Sequence, residues 1–300
     1  MLGMSSRKYY HGQTDLDYRR RDRLIETIAG DGSLCDRLIS CGVLSQGTYG
    51  WEKKCRLPAC PYCRALYAAR AGRAAATAFE GAANSELSMA SVLLGSTVDV
   101  EGIGDIFLTA RSDLRNRVNR QRSMLRRWSR VQLVGWLEVD AVSPLDVPLL
   151  PPERREALTA MGLPCAEDHD VIWLPSFHAV IWHPGVDWQE VRDALALQWE
   201  GTRQVHVQPA RSHLTAEQNI RNIVSYALKH QCQTSLGGTR IDWPPSWLAE
   251  FYEWLHSWSQ GFRRTRVLVG PASIDPKHEA IKPERISTPT LYIEPMPITY

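Results

Sequence analysis

The sequence predicts an α+β fold: an antiparallel sheet with helices, preceded by a small cysteine-rich region that binds zinc. Three observations carry that expectation. Short apolar runs of strand length alternate with stretches of helical period in the order strand, helix, strand, strand, helix, strand, helix, which suits helices gathered beside a sheet. Three cysteines, Cys55, Cys60 and Cys63, fall within nine residues upstream of those runs. Apolar content of 44% with charged content of 23% is the balance of a globular chain able to build a sizeable core.

Taken in order, residues 1–40 read as helical and polar, and Cys41-Gly42 opens a turn-rich stretch to Gly50. Cys60-Pro61-Tyr62-Cys63 has the two-residue spacing of a zinc knuckle. Cys55 supplies a third thiolate and Cys41 is the best fourth, with Cys35 as the alternative. An alanine-rich helix follows over residues 64–80. Residues 81–104 look less regular, as a linker or an insertion. Ile106-Phe107-Leu108-Thr109 reads as a short strand.

The next helix is expected over residues 112–130. Leu114, Val118, Gln121, Leu125 and Trp128 recur at spacings of four and three and mark its inner face. Eight arginines fall in 111–130 against one acid, Asp113. Arg115, Arg117, Arg120, Arg122, Arg126 and Arg127 are the candidate phosphate contacts, because clustered charge grips a polyanion even when net charge is only +2. A second basic knot is Arg19-Arg20-Arg21-Asp22-Arg23.

Residues 132–139 alternate as a strand, with Leu133, Gly135, Leu137 and Val139 on one face and Val134, Trp136 and Glu138 on the other. Residues 142–164 hold many prolines and read as an irregular excursion. Residues 171–173 and 177–182 read as strand with Pro175 between them, and His178, Val180 and Trp182 share a face. Asp187 and Glu190 form a capping-box pattern before a helix that turns Trp188, Val191, Leu195 and Trp199 inward. Residues 204–208 are a strand. Thr215 and Gln218 cap a helix running to about His230, and Pro244-Pro245-Ser246 starts a tryptophan-rich helix to Trp258. The tail after Gly270 is proline-rich. The expected division is a helical, cysteine-rich zinc-binding region over 1–80, a central unit over 100–235, and a tryptophan-rich helix with its tail over 240–300.

The helix beginning at Thr215 carries the candidate nucleophile. Ile220, Val224, Ala227 and Leu228 form its apolar side, and Asn222, Tyr226 and Lys229 share the other. Phenol is a weak nucleophile at neutral pH, and a nearby ammonium favours the phenolate. His178 and Glu138 each interrupt an apolar strand. A carboxylate so placed needs a partner or a cation, and paired strands would bring the two together.

In that order these segments resemble the rolling-circle plasmid replication initiators, a branch of the HUH endonucleases. Cys41-Gly42 with Cys55 to Cys63 looks like their cysteine-rich region. Phe107-Leu108-Thr109 resembles their first strand motif, and Gly135-Trp136-Leu137-Glu138 their glycine–aromatic–glutamate strand. Pro175-Ser176-Phe177-His178-Ala179-Val180-Ile181 looks like their metal-binding strand. Ser225-Tyr226-Ala227-Leu228-Lys229 resembles their nucleophile helix. The resemblance spans about residues 41–230. Two positions depart from it: Ser176 stands at the first metal histidine, and Asn222 where some members carry a glutamate that helps water end the reaction.

The resemblance implies an HUH-like nicking unit in which Tyr226 attacks a phosphodiester of single-stranded origin DNA. It leaves a 5′-phosphotyrosine and a 3′-hydroxyl that a host polymerase, with a host helicase, extends. Lys229 assists the phenolate or the phosphate. His178, Glu138 and Ser176 hold Mg²⁺ or Mn²⁺, and Cys41, Cys55, Cys60 and Cys63 hold Zn²⁺. The expected setting is the bacterial cytoplasm, since no signal-peptide core opens the chain and no apolar run is long enough to span a bilayer. The competing readings are an origin-binding protein without nicking, a related single-strand transposase, and a zinc-stabilised RNA-binding protein.

Overall fold

Apolar residues on both sides of one strand require cover on both faces of its sheet, and the sequence provides two helical layers. The computed structural model describes residues 15–28, 32–41, 54–163, 169–228 and 232–270. The helices are α1 (Asp15–Thr27), α2 (Gly32–Ile39), α3 (Pro61–Ala78), α4 (Gly102–Met124), α5 (Pro152–Met161), α6 (Trp188–Ala196), α7 (Ala216–Ala227) and α8 (Pro245–Ser259). The strands are β1 (Leu87–Leu93), β2 (Gln132–Val142), β3 (Ile172–Trp182), β4 (Val205–Pro209), β5 (Gln233–Leu236), β6 (Thr239–Asp242) and β7 (Arg266–Val269). Five strands form one sheet in the order β4-β1-β3-β2-β7, antiparallel throughout, and β5 and β6 form a separate hairpin. The fold is α+β, as the sequence predicts.

The alternation along β2 holds. Leu133, Leu137 and Val139 point to one face, where they pack with Phe177, Ala179 and Ile181 of β3 and with Ile103, Phe107, Ala110, Leu114 and Val118 of α4. Residues of α1, α2, α6 and α8 join the same cluster. Val134 and Trp136 point the other way, to Val180 of β3, to Ile220, Ile223, Val224 and Ala227 of α7 and to Ala75 of α3. A third, smaller cluster holds Val142, Ile172 and Leu174 against Leu158 of α5. The buried set on the α4 face runs from Leu24 to Val269, across all three stretches into which the sequence divides.

Several expected elements differ. The segment Ile106–Thr109 is not a strand but the second turn of α4. Three apolar residues in a row, Ile106, Phe107 and Leu108, fit either period, but Ile103, Phe107, Ala110, Leu114 and Val118 step by four and three, and that helical stripe prevails. Gly104 in the first turn of α4 lets Trp258 pack closely, since a Cβ there would lie 2.6 Å from Nε1 of Trp258. The first strand, β1, falls instead in the stretch read as linker. Arg126–Arg130 leaves the helix for a 3₁₀ turn. Residues 142–164 contain a 3₁₀ turn at Pro144–Leu149 and then α5, started by Pro152 at its first turn.

Pro175 does not divide β3. It pairs with Val139, while its carbonyl accepts from the Leu94 N–H at 2.9 Å. Its backbone nitrogen therefore faces the end of β1, and no β2 ladder bond is lost. Asp187 caps α6 by accepting from the Gln189 N–H at 2.7 Å, but Glu190 does not complete a box. It accepts instead from Trp128 Nε1 at 2.6 Å and from Arg127. The capping box of α7, Thr215 with Gln218, is formed.

Candidate active site and metal centre

The two apolar clusters on the α7 face leave a polar band between them. Strand register sets that band. On β3, His178 lies opposite Trp136 of β2 and opposite Ser91 of β1, and Ser176 lies opposite Glu138. Period-two alternation then puts Ser91, Ser176, His178, Trp136 and Glu138 on one face. His178 is buried, at 5% exposure, while Glu138, Ser176 and Tyr226 are half-buried. The band is thus reachable from solvent.

His178 Nε2 stands 2.5 Å from Glu138 Oε2, and its Nδ1 stands 2.7 Å from Ser91 Oγ. A neutral ring that donates Nε2–H to the carboxylate accepts from the Ser91 hydroxyl, so the two contacts select one tautomer and one ring orientation. From the opposite layer, α7 lowers Tyr226 onto this histidine. The two ring centroids are 5.1 Å apart and the planes meet at 86°, edge to face. Sequence reasoning placed Tyr226, His178 and Glu138 on separate elements, and the structure brings them together. Among the described residues, Ser176 donates only to the backbone carbonyl of Glu138, at 3.4 Å. Lys229 lies outside the described residues, and Asn222 is half-buried.

Sequence reasoning missed Ser91, because Ser88 and Ser91 break the apolar alternation of β1. The usable signal was an unbroken run from Leu87 to Leu94 with no glycine or proline. It also missed His206, which lies opposite Ser91 on β4 and so extends the polar row towards the sheet edge. Next to Glu138 on the same face, Asp140 is bound by Arg154 of α5. Burial raises the Asp140 carboxyl above its usual range despite that guanidinium.

The arginine helix is on the other side. Its inner residues pack on the face of the sheet opposite to α7, so the arginines of α4 do not line the Tyr226 band. Some are also occupied within the fold. Arg117 donates to the Leu197 carbonyl at 3.1 Å, Arg122 to that of Val131 at 2.5 Å, and Arg115 to that of Leu268 at 3.4 Å. Arg127 pairs with Glu190. Arg120 and Arg126 are exposed and show no side-chain bond among the described residues.

The cysteines converge as a second site. The sulfurs of Cys41, Cys55, Cys60 and Cys63 all lie within 4.8 Å of one another. Three of the separations are Cys41–Cys63 at 3.6 Å, Cys55–Cys63 at 3.6 Å and Cys41–Cys60 at 3.5 Å. A tetrahedral Zn²⁺ with bonds of about 2.3 Å sets its sulfurs roughly 3.8 Å apart, so the four thiols fit such an ion. Local backbone builds the cage. Pro61 starts α3 with Cys60 as its cap residue, which turns Cys63 back over the first turn. Arg56, at φ 57°, bends the chain so that its N–H donates to Cys63 Sγ at 3.2 Å, and the Cys55 N–H donates to Cys41 Sγ at 3.5 Å. Hydrogen bonds from the neighbouring thiols, that of Cys41 first, draw the Cys63 thiol well below its ordinary value. Those of Cys55 and Cys60 lower Cys41. Cys35 is not part of the cage; its thiol faces the Ile25 carbonyl. The cluster can hold a structural metal such as zinc.

No helix among the described residues is long and apolar enough to cross a membrane. No family model matches this chain, and comparison with curated proteins and with solved structures returns no match.

Proposed function

We propose that this chain starts rolling-circle replication, nicking one strand of a plasmid origin with Tyr226 in an HUH-like site. The reading is supported above all by the meeting of Tyr226 with His178, itself held by Glu138, in a polar band open to solvent. The phenol oxygen of Tyr226 attacks phosphorus, the bond from phosphorus to the 3′-oxygen breaks, and that oxygen leaves as a hydroxyl once protonated. The phenol proton passes to solvent. The 5′-phosphotyrosine conserves the energy of the phosphodiester, so a later transfer rejoins the strand. His178 would hold a divalent cation through Nε2 once that nitrogen gives up its proton to solvent, with Glu138 as the second ligand, the Ser176 hydroxyl beside them and Nδ1–H then donating to Ser91. The chemistry that such a cation supplies when bound is polarisation of the scissile phosphate. Ser91 keeps the His178 ring in place. The four cysteines would hold zinc and fix the start of α3, which packs against α7.

The test is incubation of the protein with supercoiled DNA carrying its own origin and Mg²⁺ or Mn²⁺. The reading requires nicked circles that carry covalently bound protein.

A second reading, origin binding without nicking, is favoured by two residues. Ser176 replaces a histidine of the family pattern and Asn222 replaces a glutamate. Tight, metal-independent origin binding with no nicked product selects it.

A further inference from the structure

The row that holds His178 ends at an edge bordered by arginines. His178 of β3 lies opposite Trp136 of β2, and Trp136 opposite Arg266 of β7. Opposed residues share a face, so Arg266 stands on the Tyr226 side, two strand spacings or about 10 Å from the histidine column. Its surroundings agree. Burial raises the Tyr67 phenol of α3, while the bond it accepts from Trp136 Nε1 and the charge of Arg266 oppose that rise. Strand β7 ends the sheet. The Leu137 N–H donates to the Thr265 carbonyl at 2.7 Å, so the alternate residues Arg266 and Leu268 turn their own backbone groups away from β2, to the free edge. Arg115 of α4 reaches that edge from the opposite face and donates through Nε to the Leu268 carbonyl at 3.4 Å. Arg111 lies one turn earlier on the same side of α4. Arg264, just before β7, donates to the Trp258 carbonyl at 3.3 Å.

These charges are not offset within the fold. Arg115 and Arg264 bond neutral carbonyls, and Arg111 and Arg266 have no ion pair among the described residues. Burial lowers the Arg111 guanidinium below its ordinary value, and the charges of Arg115 and Arg264, both of its own sign, lower it further. Of the two acids of α4, Asp113 accepts from Gln198 beyond α6, and Asp105 lies well over one turn before Arg111. Arg115 and Arg264 are exposed and Arg111 and Arg266 half-buried, so the border is open surface. Like charges gathered in this way repel one another until a polyanion takes the place of their counterions. The guanidinium fork suits phosphate oxygens. The other end of the row is His206 of β4, so the fixed positive charge of the row lies at its β7 end.

We propose that this border grips backbone phosphates of single-stranded DNA where the strand leaves the Tyr226 row across β7. That the strand passes Tyr226 rests on the nicking reading; the charge gathered at β7 does not. Arg115 and Arg264 are exposed, so a double variant with Arg115→Gln and Arg264→Gln should unfold thermally as the wild type does. Both full chains are titrated with a labelled oligothymidylate over a range of NaCl concentrations. Each phosphate contact on a single strand contributes about 0.7 to the slope of log K against log salt, so the slope should fall by about 1.4, with a several-fold loss of affinity at low salt. Lysine at both positions keeps the charge and should keep most of the slope. Arg19→Gln removes one exposed charge from α1 and should leave the slope as it was. An unchanged slope in the double variant would overturn the proposal, as would an equal fall per charge in Arg19→Gln, which makes net charge the cause. A loss confined to a duplex of the same length would also overturn it. Absence of nicking by the wild type would sink the nicking reading alone, because the salt slopes are read without cleavage.

Discussion

Tyr226 meets His178 edge to face, with ring centroids 5.1 Å apart, although the two residues come from a helix and a strand on opposite sides of a layer boundary. That contact exists because Val180 and Val134 pack under α7 through Val224 and Ala227, which sets the helix at the height where its next polar position overhangs the histidine. The proposed chemistry therefore depends on the same packing that forms the sheet face.

In the proposed cation site, His178→Ala removes one of the two ligands on that face. Divalent-cation affinity should drop by more than the roughly 10–100-fold that losing an outer partner costs, and DNA binding should persist. Calorimetric titration with Mn²⁺ measures this. Identical titrations for wild type and variant would remove the cation from His178.

Zinc should be found at about one ion per chain by elemental analysis, given four thiols in a single cage. Cys60→Ala should lower zinc content and cost roughly 4 kcal/mol or more in stability, because Cys60 is fully buried at the start of α3. A metal-free protein with unchanged unfolding would contradict the cage.

Gly135→Ala tests the backbone beneath His178. A Cβ at this position would lie 2.7 Å from the Ala179 Cβ and 2.8 Å from the His178 carbonyl oxygen. Strands β2 and β3 must part slightly to admit it, at about 1–3 kcal/mol. Denaturant unfolding gives the loss. The same shift should weaken Mn²⁺ binding, since it moves the His178–Glu138 pair.

Asp242 joins the β5–β6 hairpin to α1. Burial alone would raise its carboxyl, but hydrogen bonds from Arg20 and Gln233, with the charges of Arg20 and Arg23, hold it below the ordinary value. A depressed carboxylate contributes stability above its unfolded pKa of about 3.9 and loses it as pH falls through the folded value. Asp242→Asn should cost about 1 kcal/mol at neutral pH, and wild type and variant should converge at strongly acidic pH. Urea unfolding at several pH values shows whether they do.

Much of this was legible in the sequence where a single period dominates. Alternation along β2 assigned both of its faces, and the Thr215–Gln218 pair fixed the start of α7. The cage could be read because cysteine spacing is a local signal, and Cys41 rather than Cys35 completes it. What sequence could not give came from tertiary contact. Ile106-Phe107-Leu108 fits either period, and the packing of Phe107 against Trp258 and the sheet goes with the helical one. The role of Glu190 was invisible because Trp128 and Arg127, far away in the chain, claim it. The arginines of α4 were countable, but their placement across the sheet from Tyr226 required the fold.

The most direct measurement is mass spectrometry of the protein–DNA adduct after reaction with a single-stranded origin oligonucleotide and Mn²⁺, comparing wild type with Tyr226→Phe. The account predicts one phosphonucleotide-modified peptide containing Tyr226, and no adduct in the variant despite equal DNA binding. An adduct on another residue, or one that survives Tyr226→Phe, would contradict it.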